Sequence, residues 1–177
     1  FFFELNHLPL AERFWGAWFQ AVTPRTAGFN TVDLNAMSES GQMLTALLML
    51  IGGAPGSTAG GMKVTTFAVM AAVAAAVFKR RQNGRFFGRR IDDETVKNAA
   101  TVFLMYIGLF LLGGMLISKL EGFPLLACLY ECASAVGTVG LSLGITPELG
   151  WTSKLILTAL MYIGRVGGLT LLFATLP

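Results

Sequence analysis

Charged residues are scarce in this 177-residue sequence: Asp, Glu, Lys and Arg together make up 13 %, about half the share of an ordinary soluble domain. A water-facing surface of normal composition is therefore excluded, and a membrane protein is the first inference. Histidine is nearly absent. The single His7 lies at the edge of the chain, where a surface or interface position is expected. No Ser/His/Asp or His/Glu constellation can be assembled around it, so an enzyme is not expected. Cysteine is limited to Cys128 and Cys132, four apart and so on one face of a helix, with no further Cys or His near them in sequence. Buried thiols are the expectation, not a metal site. Nothing in the pattern suggests a soluble α/β domain.

What is present fits a bilayer. The chain is 54 % hydrophobic, with 21 glycines and 14 phenylalanines, and its mean hydropathy is +0.65. Glycine is commoner in membrane helices than in soluble ones. The net charge of +3 is unevenly placed: Lys79, Arg80, Arg81, Arg85, Arg89, Arg90 and Lys97 share one segment between apolar runs. Excess Lys and Arg between spans marks a cytoplasmic loop, so residues 79–97 are expected inside the cell and no nucleic-acid partner is expected. Asp92, Asp93 and Glu94 suit the positive end of the next helix. The start at Phe1 and the end at Pro177 read as those of a fragment or a processed piece.

Along the chain, 1–5 looks like the end of an apolar helix and 12–22 is helical in composition. The latter, at roughly 16 Å, is too short for a hydrocarbon core of ~30 Å. Pro24 stops it and Gly28 permits unusual backbone angles. Residues 33–40 are polar and expected to face solvent. Residues 41–78 form a long apolar segment broken at 51–63, IGGAPGSTAGGMK. Residues 98–117 are the cleanest spanning candidate; 124–136 is again too short to span, and 137–144 is a second Gly/Thr turn. The last apolar segment, 152–176, is interrupted at 164–168.

The glycine-rich break allows two readings. Glycine loops can cradle phosphate; they can also form irregular backbone at membrane depth. The phosphate-binding pattern requires GK followed by Ser or Thr, whereas here Met62 separates Gly61 from Lys63 and Val64 follows. The membrane reading is favoured.

An offset of 112 residues lays Thr26 on Thr138, Gly28 on Gly140, Ile51-Gly52 on Ile163-Gly164 and Gly56 on Gly168. The unit that repeats is a half-length helix, a Thr/Gly turn and a longer segment. A half-length helix must enter the membrane and turn back, and its returning backbone cannot face lipid. Carbonyls in such a turn can replace the hydration shell of a cation. Residues Thr26, Ala27, Gly28 and Phe29, and Thr138, Val139, Gly140 and Leu141, therefore read as two filter segments. Neither contains a carboxylate, which favours a monovalent ion over a divalent one. Tight structural turns in a helical bundle remain the alternative.

TPRTAGFNT at 23–31, GGAPGSTAGGMKVTTF at 52–67, SAVGTVGLSLGIT at 134–146 and YIGRVGGLTL at 162–171 resemble the Trk/Ktr/HKT superfamily of potassium transporters. Their wording is nearest to the membrane subunit of bacterial Ktr systems. The resemblance implies an all-α membrane protein in which four helix–pore loop–helix repeats surround one pore. Residues 1–78 would be the third repeat, with most of its first helix missing, and 98–177 the fourth. The resemblance gives the stretch 52–61 the role of an intramembrane gate, with Gly52, Gly53, Gly56, Ser57, Thr58, Gly60 and Gly61 in it and Lys63 at its end. It places Arg165 facing the pore, where an arginine opposes cation passage. Independently, an intramembrane arginine is a functional candidate because burying it in lipid is costly. The implied cargo is K+, with Na+ a candidate activator or co-ion and no cofactor in this chain. The implied partners are the bilayer, the N-terminal half of the pore, a second copy in a homodimer and a cytoplasmic nucleotide-binding ring subunit. The implied setting is a bacterial cell membrane, crossed several times. A Trk- or HKT-type Na+/K+ transporter and a non-conducting membrane assembly subunit are the alternative functions.

Overall fold

A computed structural model of the chain describes residues 1–5, 8–80, 85–86 and 89–167. His7 and the end of the last expected segment, 168–176, lie outside the described residues. The helices are α1 (Leu10–Val22), α2 (Glu39–Leu50), α3 (Val64–Phe78), α4 (Asp93–Glu121), α5 (Leu125–Val136) and α6 (Trp151–Val166). A 3-10 turn, Thr146–Glu148, precedes α6. Among the described residues the fold is all-α apart from a short ladder in the basic loop, where β1 (Arg85–Phe86) pairs antiparallel with β2 (Arg89–Arg90).

Each helix boundary has a local cause. Pro9 precedes α1 and Pro124 precedes α5, positions where a missing N–H costs the helix nothing. Ser38 caps α2 by accepting from the Gly41 N–H at 3.2 Å. α4 has Asp93 and Glu94 in its first turn and Lys119 in its last, and Gly122, at φ 74°, ends it. Those charges complement the helix dipole at both ends. At 29 residues, α4 overruns the 98–117 expected from hydropathy, because an apolar window stops at the membrane boundary while the helix continues into its charged ends. Among the described residues α4 is the one helix long and apolar enough to cross a membrane.

Three expectations are corrected. Residues 1–5 form turns, with the Glu4 N–H donating to the Phe1 carbonyl at 3.0 Å, and not the end of a helix. The 33–40 stretch is not wholly solvent-facing: Leu34 and Met37 are buried in the core. The expected interruption of the last segment at 164–168 begins late, since Gly164 and Arg165 are still helical and the helix ends at Val166.

α5 sits at the centre, packed against α2, α4 and α6. Every residue from Cys128 to Val136 is buried. Both cysteines are free and buried. Gly113 and Gly114 of α4 let α5 approach closely; a Cβ on Gly114 would stand 2.5 Å from Leu129 Cδ2. At the α4–α6 corner, Glu121 accepts from the Gly150 N–H at 2.9 Å and the Ser153 hydroxyl at 2.5 Å. Near the start of the chain, Glu4 accepts from the Ser38 N–H at 2.9 Å and from the Ser38 hydroxyl, and these bonds hold its carboxyl below the usual range.

Candidate functional site

The two Thr/Gly turns follow the C-termini of the short helices α1 and α5. Thr26 and Thr138 both have positive φ, 62° and 52°, as do Gly28 and Gly140, at 74° and 95°. Left-handed backbone is natural for glycine but an outlier for a β-branched residue. Two threonines held that way at matched positions point to a shared functional shape. The turns also meet: a Cβ on Gly28 would lie 2.0 Å from the Val139 carbonyl oxygen. Only a glycine allows the backbones of the two turns to come so close.

Hydroxyls at the ends of the short helices hold both turns. Thr23 Oγ1 donates to the Phe29 carbonyl at 2.6 Å, and Ser134 Oγ accepts from the Gly140 N–H at 3.1 Å. Glu131, buried in the middle of α5, lies behind the second turn. Its Oε1 accepts from the Ser142 hydroxyl at 2.7 Å and the Leu143 N–H at 3.0 Å, and its Oε2 from the Thr146 hydroxyl at 2.7 Å. Sequence reasoning passed over Glu131. The signal was there: a carboxylate inside an otherwise apolar helix needs an explanation.

The glycine-rich break between α2 and α3 is a loop closed at its neck. Ile51 and Met62 form an isolated bridge, and the Gly52 N–H donates to the Met62 carbonyl at 2.7 Å. Its tip turns at 54–57, where the Ser57 N–H donates to the Ala54 carbonyl at 3.1 Å and Gly56 has φ 81°. Lys63 folds back and donates from Nζ to the Ser57 carbonyl at 3.3 Å and to the Ala59 carbonyl. Lys63 thus fastens the loop to itself.

The loop is also fastened to both other parts of the site. The Gly60 N–H donates to Thr138 Oγ1 at 3.1 Å, and a Cβ on Gly60 would fall 2.2 Å from that oxygen. The Gly61 N–H donates to the Gly164 carbonyl at 3.1 Å, and Arg165 donates from Nη1 to the Thr58 carbonyl. Arg165 itself is exposed. Of the residues expected to form a site, the structure brings Thr138, Gly60, Gly61, Thr58 and Arg165 into one hydrogen-bonded assembly and sets Gly28 against Val139. Gly53 stays at the neck, where its carbonyl accepts from the Val64 N–H at 3.3 Å.

The model of the TrkH cation transport protein family matches residues 4–176. The chain belongs to that family. It is 40 % identical over 170 residues to the Ktr system potassium uptake protein B of Bacillus subtilis, and 42 % identical over 169 residues to the potassium/sodium uptake protein NtpJ of Enterococcus hirae. Those matches cover 96 % and 93 % of this chain but 38 % of each relative's length. The crystal structure of the potassium transporter TrkH from Vibrio parahaemolyticus superposes with a TM-score of 0.81 at 25 % identity, over 99 % of this chain and 41 % of that one. Membership of the TrkH family, together with the long apolar α4, makes this a membrane protein.

Proposed function

We propose that this chain forms two of the four helix–pore loop–helix repeats of a potassium uptake transporter, and that its Thr/Gly turns are two sides of one carbonyl-lined filter. The observation that carries the reading is the pairing of left-handed Thr and Gly in both turns, with Gly28 placed against the Val139 carbonyl. Left-handed residues at every second position reverse alternate peptide planes, so successive carbonyls can turn to one side. A ring of such carbonyls replaces the water around a dehydrated cation. The α1 and α5 helices end toward the turns, adding the partial negative charge of their C-termini.

The loop 52–61 is the gate in this reading, held closed beneath the filter by Arg165 and by the Gly60–Thr138 bond. Arg165 also places a positive charge on the ion path, and one residue thereby both latches the loop and repels the cargo. The remaining two repeats would come from the rest of a longer chain. A second copy and a cytoplasmic nucleotide-binding ring are the partners proposed for the assembled transporter, with the 79–97 loop on the cytoplasmic side. Na+ as activator or co-ion is retained as a second reading, supported by the potassium/sodium description of the Enterococcus hirae relative.

The test is potassium uptake by cells lacking their own transporters, complemented with the full-length protein. Gly28→Ser and Gly140→Ser are each expected to lower K+ uptake and its preference over Na+. Unchanged uptake in both, at normal abundance in the membrane, would refute the filter.

A further inference from the structure

We infer that Glu131 is a positioning residue for ion selectivity: it clamps residues 142–146, the stretch that leaves the second filter turn, and so fixes the shape of that turn. The inference rests on the filter reading proposed above. Glu131 is 5 % exposed. A buried carboxylate is costly unless its oxygens are satisfied, and here three donors satisfy them, on Ser142, Leu143 and Thr146. No basic side chain pairs with it among the described residues, where the ion pair found is Arg90–Asp93. A carboxylate kept in such a place without a counter-ion is held there by its hydrogen bonds.

The geometry explains what those bonds do. Ser134 and Glu131 stand one turn apart on α5. Ser134 binds Gly140 inside the turn, and Glu131 binds the chain immediately after it. With the Thr138 and Val139 N–H groups donating to the Ala135 and Ser134 carbonyls at 3.1 and 2.9 Å, the segment 138–141 is held to α5 at its start, within it and just beyond its end. Two of the three donors to Glu131 are hydroxyls, and the third is the backbone N–H of Leu143, so the clamp acts directly on the main chain. A filter discriminates by the position of its carbonyls, and a carbonyl strand anchored to a buried helix cannot relax around a smaller ion. Among the described residues no carboxylate of α1 clamps the corresponding region after the first turn, where the Leu34 carbonyl accepts instead from Gln42 Nε2 of α2 at 3.1 Å. There Asn30 Oδ1 accepts from the Val32 N–H at 3.3 Å and Asp33 Oδ1 from the Asn35 N–H at 3.0 Å, bonds local to the loop itself.

The experiment uses the full-length transporter in uptake-deficient cells, with membrane abundance measured alongside KM and Vmax for K+ and the K+/Na+ preference. Glu131→Ala is expected to raise KM and erode the preference several-fold with Vmax per molecule less affected. Glu131→Gln keeps an acceptor for Ser142 and Leu143, and its amide can donate to the Thr146 hydroxyl, so it is expected to restore most of the lost preference. Wild-type KM and preference in Glu131→Ala would overturn the proposal. So would a Glu131→Gln variant as impaired as Glu131→Ala, because the effect would then belong to the charge. If Glu131→Ala does not reach the membrane, Ser142→Ala and Thr146→Val decide: a loss of preference in either supports the clamp, and wild-type preference in both overturns it. Gly140→Ser run in parallel separates the two levels. Loss of preference in Gly140→Ser with none in the Glu131 series removes the clamp and leaves the filter standing.

Discussion

α1 and α5 are nearly equal in length, at 13 and 12 residues, and each leads into a Thr/Gly turn with the same left-handed positions. Their surroundings are opposite. α5 is buried along nine successive residues, whereas Gln20 is the buried residue of α1, which leaves Trp15 67 % and Trp18 63 % exposed. The second turn is clamped through Glu131; near the end of α1, Gln20 is 1 % exposed with neither polar atom of its amide bonded among the described residues. The comparison separates two requirements. The shape of a turn is set by a few residues with unusual backbone angles. How firmly it is held depends on the helix behind it, and among the described helices α5 has the longest buried run, Cys128 to Val136, with only its first turn, at Leu125, exposed. The exposed aromatic face of α1 would be covered by lipid or by the remaining repeats of the proposed pore.

The largest expected effect lies where the two turns touch. Gly28→Ser forces a side chain against the Val139 carbonyl at a positive φ, while Gly140→Ser meets open space and only the backbone strain. Uptake is expected to fall on the order of tenfold or more in the former and less in the latter, whose left-handed penalty is roughly 1–2 kcal/mol. Equal losses in an uptake assay would mean that contact between the turns is not what matters.

The proposed gate comes next. Arg165→Ala, or removal of residues 54–58, should raise ion flux several-fold in the full-length protein by releasing the loop and its repulsive charge. Flux that is unchanged or lower in a well-inserted variant would count against the gate.

Packing gives a smaller contrast between the helices. Gly114→Leu drives a side chain into Leu129 on α5 and should cost about 1–3 kcal/mol. On α1, a Cβ at Gly16 would meet, among the described residues, the Leu5 Cδ1 side-chain atom at 3.1 Å, a contact that a small shift of Leu5 relieves, so Gly16→Ala should cost less than Gly114→Leu. The melting temperature of the detergent-solubilised protein reads both. A small effect of the opposite sign is expected for Gln20→Leu: removing an unbonded buried amide should leave stability unchanged or raise it by about 1 kcal/mol. A marked loss would reveal a partner for Gln20 in the complete transporter.

Much of this arrangement was legible in the sequence because it depends on residues with strong backbone preferences. The helix stop at Pro24, the break at 51–63 and the matched Thr/Gly turns are all visible from glycine and proline alone. The helix ends of α4 were misjudged because hydropathy marks the bilayer and not the helix. Leu34 and Met37 were missed because two apolar residues in a polar loop carry no period. The bonds of Thr138 to Gly60 and of Arg165 to Thr58 join residues far apart in the chain, and no local pattern announces such pairs. That Thr26 and Thr138 adopt left-handed angles was likewise hidden, since threonine is among the residues least expected to do so.

The most direct test of the filter is anomalous scattering from Rb+ or Tl+ in crystals of the full-length transporter. The account predicts ion density between the carbonyls of 26–29 and those of 138–141, above the loop 52–61. A well-ordered map with ions bound elsewhere along the pore, and none between those two turns, would contradict it.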